Sequence, residues 1–91
     1  MTIIEKYELY KKFLNTKPIH AVHIDWKEGN FYRIKMEYKI DNKDFTVNAF
    51  VDKDEFFGYG ANIMNNQNKV IARFYNPFFA KKLYKHGQRY L

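Results

Sequence analysis

Cations and aromatic rings interleave through the last third of the sequence, at Arg73, Tyr75, Phe78, Lys81, Lys82, Tyr84, Lys85, Arg89 and Tyr90. Such residues neutralise phosphates and stack on bases, so the chemistry they offer is recognition of a polyanion, with no bond made or broken. The charge is one-sided as well. Residues 1–55 hold ten basic and ten acidic side chains, whereas residues 56–91 hold six basic ones and no acid, so the net +6 belongs entirely to that last segment. A segment of this kind suits DNA, RNA, a nucleoprotein or an acidic host protein. The competing reading is a lysine-rich face that only keeps a helix soluble. Coding bias feeds that second reading. Phe, Tyr, Met, Ile, Asn and Lys make up 50 of the 91 residues, the mark of an AT-rich genome such as that of a low-GC bacterium or its phage.

Catalytic candidates are sparser. The sequence has no cysteine, no serine and only three threonines, Thr2, Thr16 and Thr46, which removes disulfides, thiolate metal sites and serine or cysteine nucleophiles. Asp25 and Glu37-Tyr38-Lys39 resemble the Asp…Glu-x-Lys pattern of a family of metal-dependent nucleases, and the resemblance implies a cation shared by Asp25 and Glu37. The strand register reasoned below sets Glu37 six residues beyond the position opposite Asp25, about 20 Å away and too far for one ion. His20 and His23 point to opposite faces of a strand and cannot be co-ligands. His86 falls near a helix C-terminus, where a cation is favoured. Asp52-Lys53-Asp54-Glu55 lacks the glycine and spacing of a calcium loop. Phe56-Phe57-Gly58-Tyr59-Gly60 lacks the lysine and third glycine of a phosphate cradle. No catalytic residue, metal or cofactor is expected.

The scaffold that must position the binding residues is legible in outline. A chain of 91 residues and 11.1 kDa, 46% hydrophobic and 20% aromatic, reads as one folded domain over 1–91 rather than a disordered segment. Its longest uncharged stretch, Phe56 to Asn68, is too short and too interrupted to span a membrane, and the N-terminus reads as a helix rather than a signal peptide. A cytoplasmic protein is expected. Thr2 and Glu5 form a capping box, and Ile3, Tyr7, Tyr10 and Leu14 share one helical face that ends before Pro18.

Three strands of period two follow. Their apolar faces are His20, Val22, Ile24 and Trp26, then Tyr32, Ile34, Met36, Tyr38 and Ile40, then Phe45, Val47, Ala49 and Val51. A three-residue loop, Lys27-Glu28-Gly29, sets Ile24 opposite Tyr32, and a loop from Asp41 to Asp44 sets Ile40 opposite Phe45. The outer face then carries the rows His23–Arg33–Asp52, Ala21–Lys35–Phe50 and Ile19–Glu37–Asn48. Lys35 and Phe50, neighbours in one of these rows, join the candidate contacts. Over residues 59–75 two readings stand: Ile63, Met64, Gln67, Val70, Ile71 and Phe74 fit a helix by spacing, whereas Asn65-Asn66-Gln67-Asn68, a poor helix centre and a good turn, favours a hairpin of 59–64 and 69–75. The last helix has Asn76 as cap, Pro77 in its first turn and Gly87 as its stop. Phe79, Ala80 and Leu83 face inward, while Phe78, Lys82 and Lys85 face out.

The order helix–three strands–helix resembles the double-stranded-RNA-binding domain in outline over most of the chain. Gly58-Tyr59-Gly60-Ala61-Asn62 is the nearest match to that family's Gly-x-Gly-Ser-Lys-Lys turn and lacks both lysines. The expected fold is α+β, an antiparallel sheet of three to five strands with the N-terminal and C-terminal helices on one face. The expected function is non-enzymatic binding of nucleic acid or a nucleoprotein through Arg73, Tyr75, Phe78, Lys81, Lys82, Lys85 and Arg89, with Lys35 and Phe50. The alternative is a phage-type inhibitor of a host nucleic-acid-processing or defence enzyme, anti-CRISPR-like in character.

Overall fold

The computed structural model describes residues 2–26, 31–53 and 58–91. They form α1 (Ile3–Leu14), β1 (His20–Trp26), β2 (Phe31–Ile40), β3 (Lys43–Asp52), β4 (Tyr59–Met64), β5 (Val70–Phe74) and α2 (Pro77–Gln88). The strands make one antiparallel sheet in the order β1-β2-β3-β4-β5, and both helices pack on the same face of it. The additional hairpin β4–β5 departs from the three-strand outline of the double-stranded-RNA-binding domain. It matches the turn reading of the Asn tetrad: the Asn65 side-chain oxygen accepts from the backbone N–H of Gln67 and Lys69, and Asn68 takes φ of 60°.

Local chemistry sets the ends of both helices. Thr2 accepts from the Glu5 N–H at 3.1 Å and donates its hydroxyl proton to the Glu5 carboxylate. Asn76 accepts from the Phe78 N–H at 2.9 Å ahead of Pro77. The inward face of α1 is Tyr7, Tyr10 and Phe13; Ile3, expected there, is exposed. Gly87 is also not the stop. It lies within α2, where a Cβ would stand 2.8 Å from Ile34 Cγ2 and 2.9 Å from Met36 Sδ. The buried set Ala80, Leu83, Tyr84 and Gly87 follows the spacing i, i+3, i+4, i+7 of a helix laid on a sheet.

Two registers differ from expectation, for different reasons. Asp41 and Asn42 both adopt positive φ, 51° and 64°, the backbone of a type I′ turn. The β2–β3 loop therefore has two residues, and Ile40 lies opposite Lys43 instead of Phe45. A slip of two leaves the faces intact, so Ile34, Tyr38 and Val47 are buried as expected. Between β1 and β2 the slip is a single residue: Ile24 lies opposite Arg33 and Val22 opposite Lys35. That inverts β1. Its Val22 and Ile24 now share the outer face with Arg33 and Lys35. The main sheet contacts of α2 fall on β2 to β5, and of the described β1 side chains the small Ala21 packs against the core, so little packing energy draws the larger apolar residues of β1 inward. The Lys27-Glu28-Gly29 turn and the burial of the Trp26 side chain lie outside the described residues.

The core is ring-rich. Tyr10 and Phe79 meet edge to face at 5.3 Å, Tyr10 and Phe74 lie at 5.4 Å, and Phe13 and Tyr38 at 4.7 Å. Each such pair is worth about 0.5–1.5 kcal/mol beyond its buried area. The Tyr38 hydroxyl donates to the Phe13 carbonyl at 3.1 Å, tying α1 to β2. His86 Nε2 lies 3.0 Å from the Thr16 carbonyl and ties α2 to the segment after α1.

Candidate binding surfaces

α2 buries one stripe and presents the opposite one to water. Because Ala80, Leu83, Tyr84 and Gly87 take the sheet side, Phe78, Lys81, Lys82 and Lys85 fall on the outer side, and Arg89 continues it just past the helix. These five residues line one open groove of about 580 Å³ with Leu14 of α1 and His86. The lining contains no acid, and among the described residues no carboxylate pairs with Lys81, Lys82, Lys85 or Arg89. Phe78 is 60% exposed, with the Lys82 ammonium 4.4 Å from its ring centroid. The Lys81 ammonium lies 5.7 Å from the Tyr59 ring. Behind the groove, burial and then the neighbouring Tyr59 and Tyr32 raise the Tyr84 phenol above its ordinary range, so this ring stays neutral.

The remaining candidates lie elsewhere. Tyr75 is 79% exposed on the link between β5 and α2. Arg73 is exposed on the edge strand β5 opposite Asn62. Lys35 and Phe50 occupy the outer sheet face but not one row. Lys35 lies opposite Val22 and Asn48 and pairs with Glu37 at 3.7 Å. Phe50 lies opposite Arg33 and Gly60, and its ring covers Gly60 closely enough that a Cβ there would meet Phe50 Cε2 at 2.8 Å. The expected row His23–Arg33–Asp52 is replaced by Ile24–Arg33–Phe50, with Asp52 opposite Phe31. These changes follow from the two register slips.

Asp25 lies opposite Tyr32, five residues along β2 from Glu37, so the pattern does not bring the two positions to one ion. Among the described residues no three His, Asp or Glu side chains cluster as a metal site. Asp54, Glu55, Phe56 and Phe57 lie outside the described residues. Also among the described residues, no helix is long and apolar enough to cross a membrane. Two groove residues went unassigned in the sequence, Leu14, read as core, and His86, read as a helix-end cation. The stripe 78, 82, 85, 86, 89 was the available signal for His86, while Leu14, on the other helix, carried none. No family model, curated protein or solved structure matches the chain, so the surface is interpreted from its own chemistry.

Proposed function

We propose that the protein binds nucleic acid through the α2 groove, with Lys81, Lys82, Lys85 and Arg89 on phosphates and Phe78 against a base. One observation supports this reading above the rest: four cations and an exposed ring from one stripe line a single groove without an acid. From Lys81 to Arg89 is about 12 Å of helix, room for about two to four phosphates of one strand. Contacts of this kind give affinity and salt dependence without sequence readout. The test is titration of fluorescent single-stranded and duplex DNA and RNA at about 50 mM salt, where even non-specific contacts are strong. Micromolar or tighter binding that weakens steeply with added salt is expected. No binding to any of the four removes nucleic acid as the direct ligand.

A second reading has its own observation. Tyr75 and Phe78 are the most exposed rings described, three residues apart beside the cations, and exposed rings flanked by Arg and Lys also anchor protein partners. In that reading the groove holds an acidic surface of a host nucleic-acid-processing or defence enzyme, and the protein acts as its inhibitor. Affinity would then fall mainly on loss of a ring, and salt would chiefly slow association.

A further inference from the structure

His86 is built into the α2 groove differently from the cations around it. Its imidazole is 7% exposed, whereas Lys81, Lys82, Lys85 and Arg89 stand open to water. Nε2 lies 3.0 Å from the Thr16 carbonyl. A carbonyl only accepts, so Nε2 carries a hydrogen even in the neutral ring. The atom left to titrate is Nδ1, which has no hydrogen-bond partner among the described residues and is not sealed from water. Tyr90 packs on the ring edge to face at 5.1 Å, and Leu14 faces it across the groove from α1. The charged side chains nearby are all positive. Lys82, Lys85 and Arg89 lie within about one turn of it on α2, and Lys17 lines the adjoining recess that shares Arg89, with His20, Tyr90 and Leu91. A buried ring with one nitrogen fixed and the other unpaired, in an acid-free lining, is equipped to receive an anion.

We propose that His86 is a further phosphate contact of the groove, bound as imidazolium, with its Nδ1–H donating to a phosphate oxygen. This contact rests on the nucleic-acid reading of the groove. One proton passes from water to Nδ1, no other bond changes, and Nε2 keeps its donation to Thr16. Imidazole changes charge between about pH 5 and 8, while the lysines, arginine and phosphodiesters around it do not. A phosphate seated beside the ring favours the charged form. Binding and protonation then promote each other by the same factor. The complex holds the proton more tightly than the free protein. The gain in affinity is therefore complete below the titration of the free protein and is lost as pH rises through that of the complex.

The test titrates the full chain with a fluorescent oligothymidylate of about ten nucleotides, whose bases keep one protonation state between about pH 5.5 and 8. Binding is expected to be about tenfold tighter at the lower pH, the yield of a coupling of about one pH unit. Its log K versus log salt slope is expected to be steeper there by about 0.7, the mark of one added cation on a single strand. His86→Gln keeps an N–H for the Thr16 carbonyl and cannot charge. It is expected to abolish the pH dependence, match the parent's affinity at the higher pH, and leave circular dichroism and Tm unchanged. His20→Gln, in the adjoining recess, is expected to retain the dependence. Proton NMR reads the same event without a substitution: the titration midpoint of the His86 Cε1–H is expected to rise by about one pH unit in the complex. Binding that is steep in salt but flat in pH, a pH dependence that survives His86→Gln, or a midpoint that stays put overturns the proposal alone. No binding at either pH overturns it together with the reading it rests on.

Discussion

Gly87 and Ile34 are in direct packing contact: a Cβ on the glycine would stand 2.8 Å from Ile34 Cγ2. The last turn of α2 thus lies against the Ile34 and Met36 side chains of β2, closer than any side chain at position 87 permits. Both residues are buried, and Ile34 is β-branched, so it cannot swing aside as the Met36 thioether can.

This contact decides the sign of Gly87→Ala. Alanine in a helix interior gains up to about 1 kcal/mol over glycine. Overpacking a filled core costs about 1–3 kcal/mol. The net expectation is a loss of about 1–2 kcal/mol, read as a lower urea midpoint at unchanged slope. A variant as stable as the parent would show that α2 can lift off β2 at no cost.

The same chemical change at two tyrosines should have opposite signs. The Tyr10 hydroxyl is buried with no hydrogen-bond partner among the described residues, whereas the Tyr38 hydroxyl donates to the Phe13 carbonyl. Tyr10→Phe removes an unsatisfied group and is expected to stabilise by about 1 kcal/mol. Tyr38→Phe loses a buried bond, although the Phe13 carbonyl keeps the Thr16 N–H at 3.4 Å, and should cost about 0.5–1.5 kcal/mol. Equal effects in thermal melts would contradict this assignment.

Alkaline pH should unfold the protein. Burial raises the phenols of Tyr38, Tyr10 and Tyr84 above the ordinary value of 10.0; the neighbouring Tyr90, Tyr7, and Tyr59 with Tyr32 add to the respective shifts. The folded state then holds these protons more tightly than the unfolded chain. Their contribution is complete below the unfolded pKa of about 10 and is lost as pH rises through the folded values. Tm is expected to be flat with respect to these groups up to about pH 9 and to fall beyond about pH 10. Ultraviolet titration should show these three phenols ionising after the exposed tyrosines, as the fold is lost.

Several features resisted reading from sequence because they depend on the third dimension. Period two marked three strands, and the Asn tetrad marked a hairpin, because those signals are local. The type I′ turn at Asp41-Asn42 required positive φ at two non-glycine residues, which Asp and Asn tolerate without announcing it. β1 broke the alternation rule because an edge strand beyond the main contacts of α2 gains little from large inward apolar residues. Gly87 looked like a stop because glycine usually ends helices, while its actual constraint is a neighbour more than fifty positions away. Cation and ring types located the α2 stripe, yet Lys35 and Phe50 left their shared row once the registers moved.

The groove makes a quantitative prediction about salt. If Lys81, Lys82 and Lys85 contact phosphates, replacing all three by Ala should lower the magnitude of the log K versus log salt slope by about 2–3 and weaken all sequences alike. The variant should stay folded. All three side chains are exposed, and the contacts of Lys81 with Tyr59 and Lys82 with Phe78 are worth about 0.5–1 kcal/mol each. Phe78→Ala should cost about 1–3 kcal/mol of affinity for unpaired bases and leave the slope unchanged. An unaltered slope in the triple variant would move the phosphate contacts elsewhere.

Because every strand pairs with its neighbour in sequence, the sheet can assemble by successive short closures, each costing little chain entropy. The helices are the opposite case. His86 meets Thr16 across seventy residues of chain, and α1 meets α2 across almost the whole length. A molecule arranged this way should zip its sheet early and fasten its two ends together late. An opened state with the sheet intact and the helices undocked would then be the cheapest excursion from the native fold, and it exposes the aromatic core before any strand separates.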